Sequence, residues 1–369
     1  MSVPDTISPK PPLPDTGSPE ATARYPWGVS VIICCHNSAG RLAPTLEHLL
    51  KQRDAPGLPW EVIVVDNASS DHTAATARSL WPESHPRPLK VVQEDKLGLT
   101  HARVKGLSEA RYECISFVDD DNWVCPEWVQ TVAETFETHP EVGMLSGRGE
   151  GVFEATPPPW FYKHQRAYVV GGVSHSAGVI APADAYGAGM CLRRSVWDAL
   201  RRIGFRFILD DRRGLALTSG GDVELMVSMS FMGWQAWYEP RLCYKHWIPR
   251  GRLTTAYIRR LYRGFGMAST VLGIYLSAGT PKARTILGYV QSSWLWRVLR
   301  NVRTLFAALL SYFVRVRRDG AFEPVLSIEW AIGAVVAVAL TGPVRYQKRQ
   351  KSVHRLYDTC KGLKQLWAP

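Results

Sequence analysis

No Cys-x-x-Cys pair occurs among the seven cysteines of this 369-residue chain, and their number is odd. A zinc ribbon or a disulfide framework needs paired spacings, so free thiols in a reducing compartment are the expected state. No Gly-x-Gly-x-x-Gly follows the first apolar run and no Gly-x-x-x-x-Gly-Lys-Ser/Thr occurs, which removes the dinucleotide-binding and P-loop signatures. Residues 1–26 are rich in proline and lack an apolar h-region, so they read as a flexible leader and not as a secretory signal. Acidic residues are scarce beyond position 240. There Asp319, Glu323, Glu329 and Asp358 stand against 22 Lys and Arg, a net +18, whereas the front part carries −7. Within 46% apolar and 21% charged residues there is material for two cores, which excludes disordered, collagen-like and small disulfide scaffolds.

Short β-branched runs alternate with helical stretches in the front part. Val29–Cys35 is a continuous, largely apolar run of the kind buried on both faces in a parallel sheet, and Glu61–Val65, Leu89–Gln93 and Cys114–Val118 read as further strands. Between them, Leu42, Leu46, Leu49 and Leu50 recur at helical spacing, and Thr73–Leu80 and the stretch through Ala110 form two further helices. The order βαβαβαβ predicts a doubly wound α/β sheet whose ligands sit beyond the carboxyl ends of the strands. Polar clusters stand at those ends: His36-Asn37, Asp66-Asn67 and Asp119 to Asn122.

Three consecutive aspartates after an apolar strand repel one another unless a cation or strong donors neutralise them. Their hard oxygens suit Mg²⁺ or Mn²⁺; the competing reading is a solvated turn with an Asp helix cap. Asp66-Asn67 either holds a ribose or base edge or begins an Asx turn. In Gly220-Gly221-Asp222-Val223-Glu224-Leu225 the glycines admit a ligand close to the backbone, and Asp222 is either an N-cap or a base. His246, among Lys245, Arg250 and Arg252, is a metal ligand, a phosphate contact or a surface residue.

In this order the motifs resemble the family 2 glycosyltransferases, whose nucleotide-sugar domain has the GT-A fold. The resemblance rests on Ser30–Asn37, Val64–Asp71, Leu97–Arg103, Phe117–Asn122, Gly187–Arg194 and Gly220–Leu225, within residues 28 to 265. It implies a Rossmann-like mixed sheet flanked by helices and an inverting enzyme. Asp119 and Asp121 would serve a Mn²⁺ or Mg²⁺ ion and the diphosphate, Asp120 would lie nearer the sugar, and Asp222 would be the general base. His36, Asn37, Asp66, Asn67 and Arg103 belong to the donor side; Arg250 and Arg252 either clamp the diphosphate or face the membrane. Gly189, Met190 and Glu224 fall to the acceptor side, and His246 joins the metal set. Gly221 stands where an acidic residue is common in the family.

Three regions are expected: the leader 1–26, a GT-A domain 27–265 and a basic helical membrane-associating region 266–369. In the last, Trp294, Trp296, Leu299, Leu305, Leu309, Leu310 and Phe313 interleave with Arg297, Arg300, Arg303, Arg315, Arg317 and Arg318, as in a helix lying among anionic headgroups. The alternative is a basic helix packed on the catalytic domain. Trp330–Val344, 15 residues, is short for a span, and an interfacial or re-entrant helix is expected. The expected activity is metal-dependent transfer from a nucleotide-diphospho-sugar to a lipid-linked or polysaccharide acceptor, at the cytoplasmic face of the cell membrane, peripheral or monotopic, without nucleic acid. The competing reading is a catalytically inactive nucleotide-sugar- or carbohydrate-binding protein at the membrane.

Overall fold

The computed structural model describes residues 25–53, 56–209, 211, 217, 219–278, 293–315 and 322–367, with side chains to 363. Residues 1–24 of the expected leader, and Arg317 and Arg318 of the basic tail, lie outside the described residues. The front half unfolds in the predicted order: β1 (Val29–Cys35), α1 (Leu42–Leu50), β2 (Trp60–Asn67), α2 (Thr73–Leu80), β3 (Leu89–Glu94), α3 (Leu99–Glu109) and β4 (Cys114–Asp119). Next come β5 (Asn122–Val124), α4 (Trp128–Thr138), β6 (Val142–Phe153), α5 (Pro159–His164), β7 (Gly178–Ile180), β8 (Cys191–Arg193), α6 (Arg194–Arg202), α7 (Gly221–Phe231) and β9 (Gln235–Ile248).

One mixed sheet runs β3-β2-β1-β4-β8-β6-β9-β5, with β7 beside β9. Its first four strands are parallel, and β8 turns the direction by pairing antiparallel with both β4 and β6. All eight residues of β2 are buried, as a central strand covered on both faces demands. Each fully buried Val or Ile there contributes roughly 1.5–3 kcal/mol relative to exposure. One apolar cluster, with Leu42, Leu46, Leu49 and Phe136, packs on one face, and a second, with Ala102, Leu107, Met226 and Met229, packs on the other.

Three helices follow: α8 (Thr255–Ala278), α9 (Trp294–Arg315) and α10 (Phe322–Trp367). The expected boundary at 265 falls inside α8, and Tyr275, Tyr346, Val353, Leu356 and Cys360 share a core with Ile63 and Leu225 of the front part. Where α8 crosses α10 the backbones touch: a Cβ on Gly266 would lie 1.9 Å from the Trp330 carbonyl oxygen, and one on Gly333 2.0 Å from that of Arg263. Beside this crossing Glu329, 3% exposed, accepts from Arg259 Nε (2.8 Å) and Arg263 Nε (2.8 Å). Arg297 is likewise buried and donates through Nε to Tyr346 Oη at 3.0 Å. Those three arginines therefore hold helices together, and the expectation of a basic face in the headgroups fails for Arg297. The apolar run 330–344 is helical, and α10 breaks at Gly342 (φ 65°, ψ 167°), followed by Pro343, whose missing N–H cannot continue the ladder.

Candidate active site

The parallel strands end at one level because register aligns Cys34 of β1 with Asp119 of β4, and Cys35 with Asp66 of β2. Above those ends lies a cleft of about 710 Å³, bordered by His36, Asn67, Asp119, Asp120, Asp121, Arg252, Gly187, Asp211 and Asp222. The three aspartates are not in equivalent settings. Asp120 is buried; its carboxylate accepts from Ser38 Oγ and from Arg41 Nη2 (2.7 Å), and its carbonyl accepts from Thr45 Oγ1 (3.1 Å). Burial and the charge of Asp121 push its carboxyl above the usual range, with Arg41 and Ser38 opposing.

Asp121 faces β9. Its Oδ2 pairs with Arg252 Nη1 at 3.0 Å and its Oδ1 lies 3.8 Å from His246 Nε2. His246 reaches this place because β9 pairs antiparallel with β5, setting it opposite Asn122. Its Nδ1 is 2.8 Å from the Tyr168 carbonyl, an acceptor only, so Nδ1 is the donor and the neutral ring turns the Nε2 lone pair toward Asp121 and Arg252. A carboxylate and an imidazole lone pair are donors that suit a divalent cation. Among the described residues no group of three carboxylate, imidazole or thiol side chains forms a metal cage. The expected set of Asp119, Asp121 and His246 is therefore not preassembled among the described residues.

Asp222 stands in the first turn of α7. The first-turn N–H groups are shared: Asp211 Oδ1 and Oδ2 accept from Gly221 N at 2.9 and 3.0 Å, and Asp222 Oδ1 accepts from Val223 N at 2.9 Å. Asp222 also lies against Gly187, where a Cβ would come 2.0 Å from Asp222 Oδ2, so glycine is required for the carboxylate to sit there. Arg103 is buried at the cleft, 3.5 Å from Asp211 and over the Phe117 ring. Burial works against its charge, but the carboxylates of Asp222, Asp211 and Asp119 outweigh it and raise its pKa.

Residues 30–179 match the model of glycosyl transferase family 2. The chain carries a family 2 glycosyltransferase domain. Its mixed sheet with flanking helices matches the GT-A architecture. The chain is 28% identical over 210 residues to MT1568 of Mycobacterium tuberculosis, covering 55% of this chain and spanning only 60% of that protein. It is 23% identical over 364 residues to the dolichol-phosphate mannosyltransferase of Pyrococcus furiosus, covering 86% of this chain and 97% of that one. Among solved structures, S. aureus TarS 1-349 in complex with UDP-GlcNAc is similar at 18% identity and a TM-score of 0.49, over 92% of each chain.

Within this glycosyltransferase domain the residues expected from sequence divide. His36, Asn67, Arg103, Asp119, Asp120, Asp121, Asp222, His246 and Arg252 border the cleft; Asn37, Asp66, Gly189, Met190, Glu224 and Arg250 do not. Asp66 makes the turn, accepting from Ser69 N (3.3 Å), while Gln93 Nε2 donates to its other oxygen (3.1 Å). Asn67 is engaged as a brace, donating to the carbonyls of Glu94 (3.0 Å) and Lys96 (2.8 Å) and accepting from Gly98 N (2.8 Å). Asn37 is exposed and accepts from Ser70 N (2.8 Å). Met190 is core, Gly189 packs at Trp128 and Tyr244, and Gly187 and Ala188 border the cleft in their place. Arg250 is exposed, its N–H on Glu154.

Glu224 departs most from expectation. It is fully buried, and its carboxylate accepts from Ile208 N (2.7 Å), Leu209 N (2.9 Å) and Tyr275 Oη (2.8 Å). Burial lifts its pKa to about 7, against the pull of those donors. It ties the segment before the cleft to α7 and α8 and is not an acceptor contact. Sequence reasoning missed Arg41 and Asp211. Arg41 looked like an ordinary residue ahead of a helix, and Asp211 carries no local signal because its partners are 108 residues back and 10 residues ahead.

Proposed function

We propose that the protein transfers a sugar from a nucleotide-diphospho-sugar to an acceptor hydroxyl in a single inverting displacement. The observation that carries this reading is one cleft bordered together by Asp119, Asp120, Asp121, His246, Arg252 and Asp222. Asp121 and His246, with Asp119 beside them, would hold Mn²⁺ or Mg²⁺, which when bound supplies positive charge to the departing diphosphate. Arg252 adds a planar double donor for the same oxygens. Asp222 takes the proton of the acceptor hydroxyl as that oxygen attacks the anomeric carbon from the face opposite the leaving group. Arg103, among Asp119, Asp211 and Asp222, supplies the positive charge that balances these carboxylates. A panel of UDP-, GDP- and dTDP-sugars with and without Mn²⁺ tests the donor assignment by thermal shift. A donor at 100 times its dissociation constant stabilises by about 2.7 kcal/mol. No shift with any nucleotide sugar in Mn²⁺ removes the transferase reading, and binding without turnover on any acceptor favours the inactive binding protein.

The acceptor is proposed to be lipid-linked or a polysaccharide at the cytoplasmic membrane face, with α9 as the contact. α9 turns Leu295, Leu299, Phe306, Leu310 and Phe313 outward, Phe306 and Phe313 each 69% exposed, beside exposed Arg300 and Arg303. The first part of α10 is also long and apolar enough to cross a membrane by length and composition, with only a third of it buried, and Leu340 is 72% exposed. Apolar side chains flanked by arginine on one solvent face fit the headgroup boundary of an anionic bilayer. Full-length protein should cosediment with anionic vesicles more than with neutral ones, and salt should reduce that preference. Phe306→Ser with Leu310→Ser and Phe313→Ser should weaken the salt-resistant part, and Arg300→Gln with Arg303→Gln the salt-sensitive part. Protein left in the supernatant with anionic vesicles at low salt removes the membrane contact.

A further inference from the structure

The β5–β9 ladder continues one residue past β5. Val124 lies opposite Tyr244, and the next residue, Cys125, donates its backbone N–H to the Cys243 carbonyl at 2.9 Å. Cys125 and Cys243 are therefore direct cross-strand partners. Such partners share a face, and a hydrogen-bonded antiparallel pair sets its Cα atoms about 5.5 Å apart. That falls inside the roughly 4.4–6.8 Å that a disulfide spans. Both residues are free thiols and neither is fully buried, whereas Cys35, Cys114, Cys191 and Cys360 are. Cys125 Sγ lies 3.4 Å from the Arg241 carbonyl, so it leans along β9 toward the strand that carries Cys243. Across the other edge of β9, Arg148 stands opposite Cys243 in register, itself paired with Glu150. The neighbouring Cys125 side chain brings the Cys243 thiol down to about 7, with burial and Glu150 opposing and Arg148 assisting. Cys243, with burial, pushes Cys125 up. A half-buried, lowered thiol beside a second thiol is an arrangement from which thiol–disulfide exchange proceeds.

We propose that Cys125 and Cys243 form a reversible cross-strand disulfide when the protein meets a low-molecular-weight disulfide oxidant. The Cys243 thiolate attacks one sulfur of the oxidant and expels its first thiolate. Cys125, after losing its proton, attacks the mixed-disulfide sulfur of Cys243 and expels the second. The protein loses two electrons and two protons, and the oxidant becomes two thiols. The bond would staple the ladder that sets His246 opposite Asn122, beside Asp121, and so links thiol oxidation to one wall of the cleft. This inference does not depend on the transferase reading, because its primary readout is covalent.

The test uses full-length protein in oxidised glutathione, quenched with N-ethylmaleimide and read by intact and peptide mass spectrometry. The expected result is a loss of about 2 Da, a Cys125–Cys243 linked peptide and alkylation of the other five cysteines, all reversed by dithiothreitol. Cys125→Ser should instead retain one glutathione on Cys243, since no resolving thiol remains. The oxidised wild type should also melt at a higher temperature, because the bond closes a loop of about 120 residues. Full alkylation of both Cys125 and Cys243 in the oxidised native protein overturns the proposal. So does a linked peptide joining any other pair as the main product.

Discussion

Replacing Asp222 by Asn should lower turnover by about 10²–10⁴ while nucleotide-sugar binding persists. The amide keeps the volume of the carboxylate, and its oxygen can still accept from Val223 N, which lies 2.9 Å from Asp222 Oδ1. It cannot accept the acceptor hydroxyl's proton at useful strength. Helix α7 should be insensitive to the change, because Asp211 and not Asp222 receives the Gly221 N–H. Arg103 retains Asp211 and Asp119 as counter-charges. Calorimetric donor binding, circular dichroism and initial rates together separate a lost base from a lost fold. Gly187→Ala is the companion variant: the added methyl would stand 2.0 Å from Asp222 Oδ2, so it should displace the carboxylate and reduce turnover without altering its chemistry. Near-normal rates from folded Asp222→Asn protein would remove the assignment.

The second large effect concerns the cation. Asp121→Ala should weaken nucleotide-diphosphate binding by on the order of 100-fold in Mn²⁺, since even outer-shell groups of metal sites are worth 10–100-fold. Metal-free binding should change little, because Arg252 remains to meet the phosphates. His246→Ala should act in the same direction: its lone pair faces the same carboxylate, at 3.8 Å. Titrations with and without Mn²⁺ check both variants. Equal losses in the two conditions would make the aspartate run a structural turn, the role its neighbour Asp120 shares through Ser38 and Arg41.

The alternation of buried strands and helices was legible in the chain because a parallel strand covered on both faces must be largely apolar, and Val31–Cys35 of β1, Val62–Val65 of β2 and Phe117–Val118 of β4 are. The polar clusters at the strand ends were legible for the same reason, since side-chain chemistry changes abruptly where burial ends. The +18 excess beyond residue 240 likewise announced a basic region by composition alone. Composition could not say which charges face outward. Glu329 and Tyr346 arrive beside Arg259, Arg263 and Arg297 from a helix that begins 67 residues after α8 does; Arg297 is buried, Arg259 and Arg263 pair with Glu329 while staying half-exposed, and these pairs exist only once α8, α9 and α10 pack. Asp222 and Glu224 are two positions apart, which on a helix is about 200°, so one meets the cleft and the other the core. Which of them does which was set by the packing of α7 on α8, where Tyr275 accepts the inward position of Glu224 by donating to it. Asp121 and His246 are 125 residues apart and meet only through the β5–β9 pairing, a long-range register that no local pattern encodes.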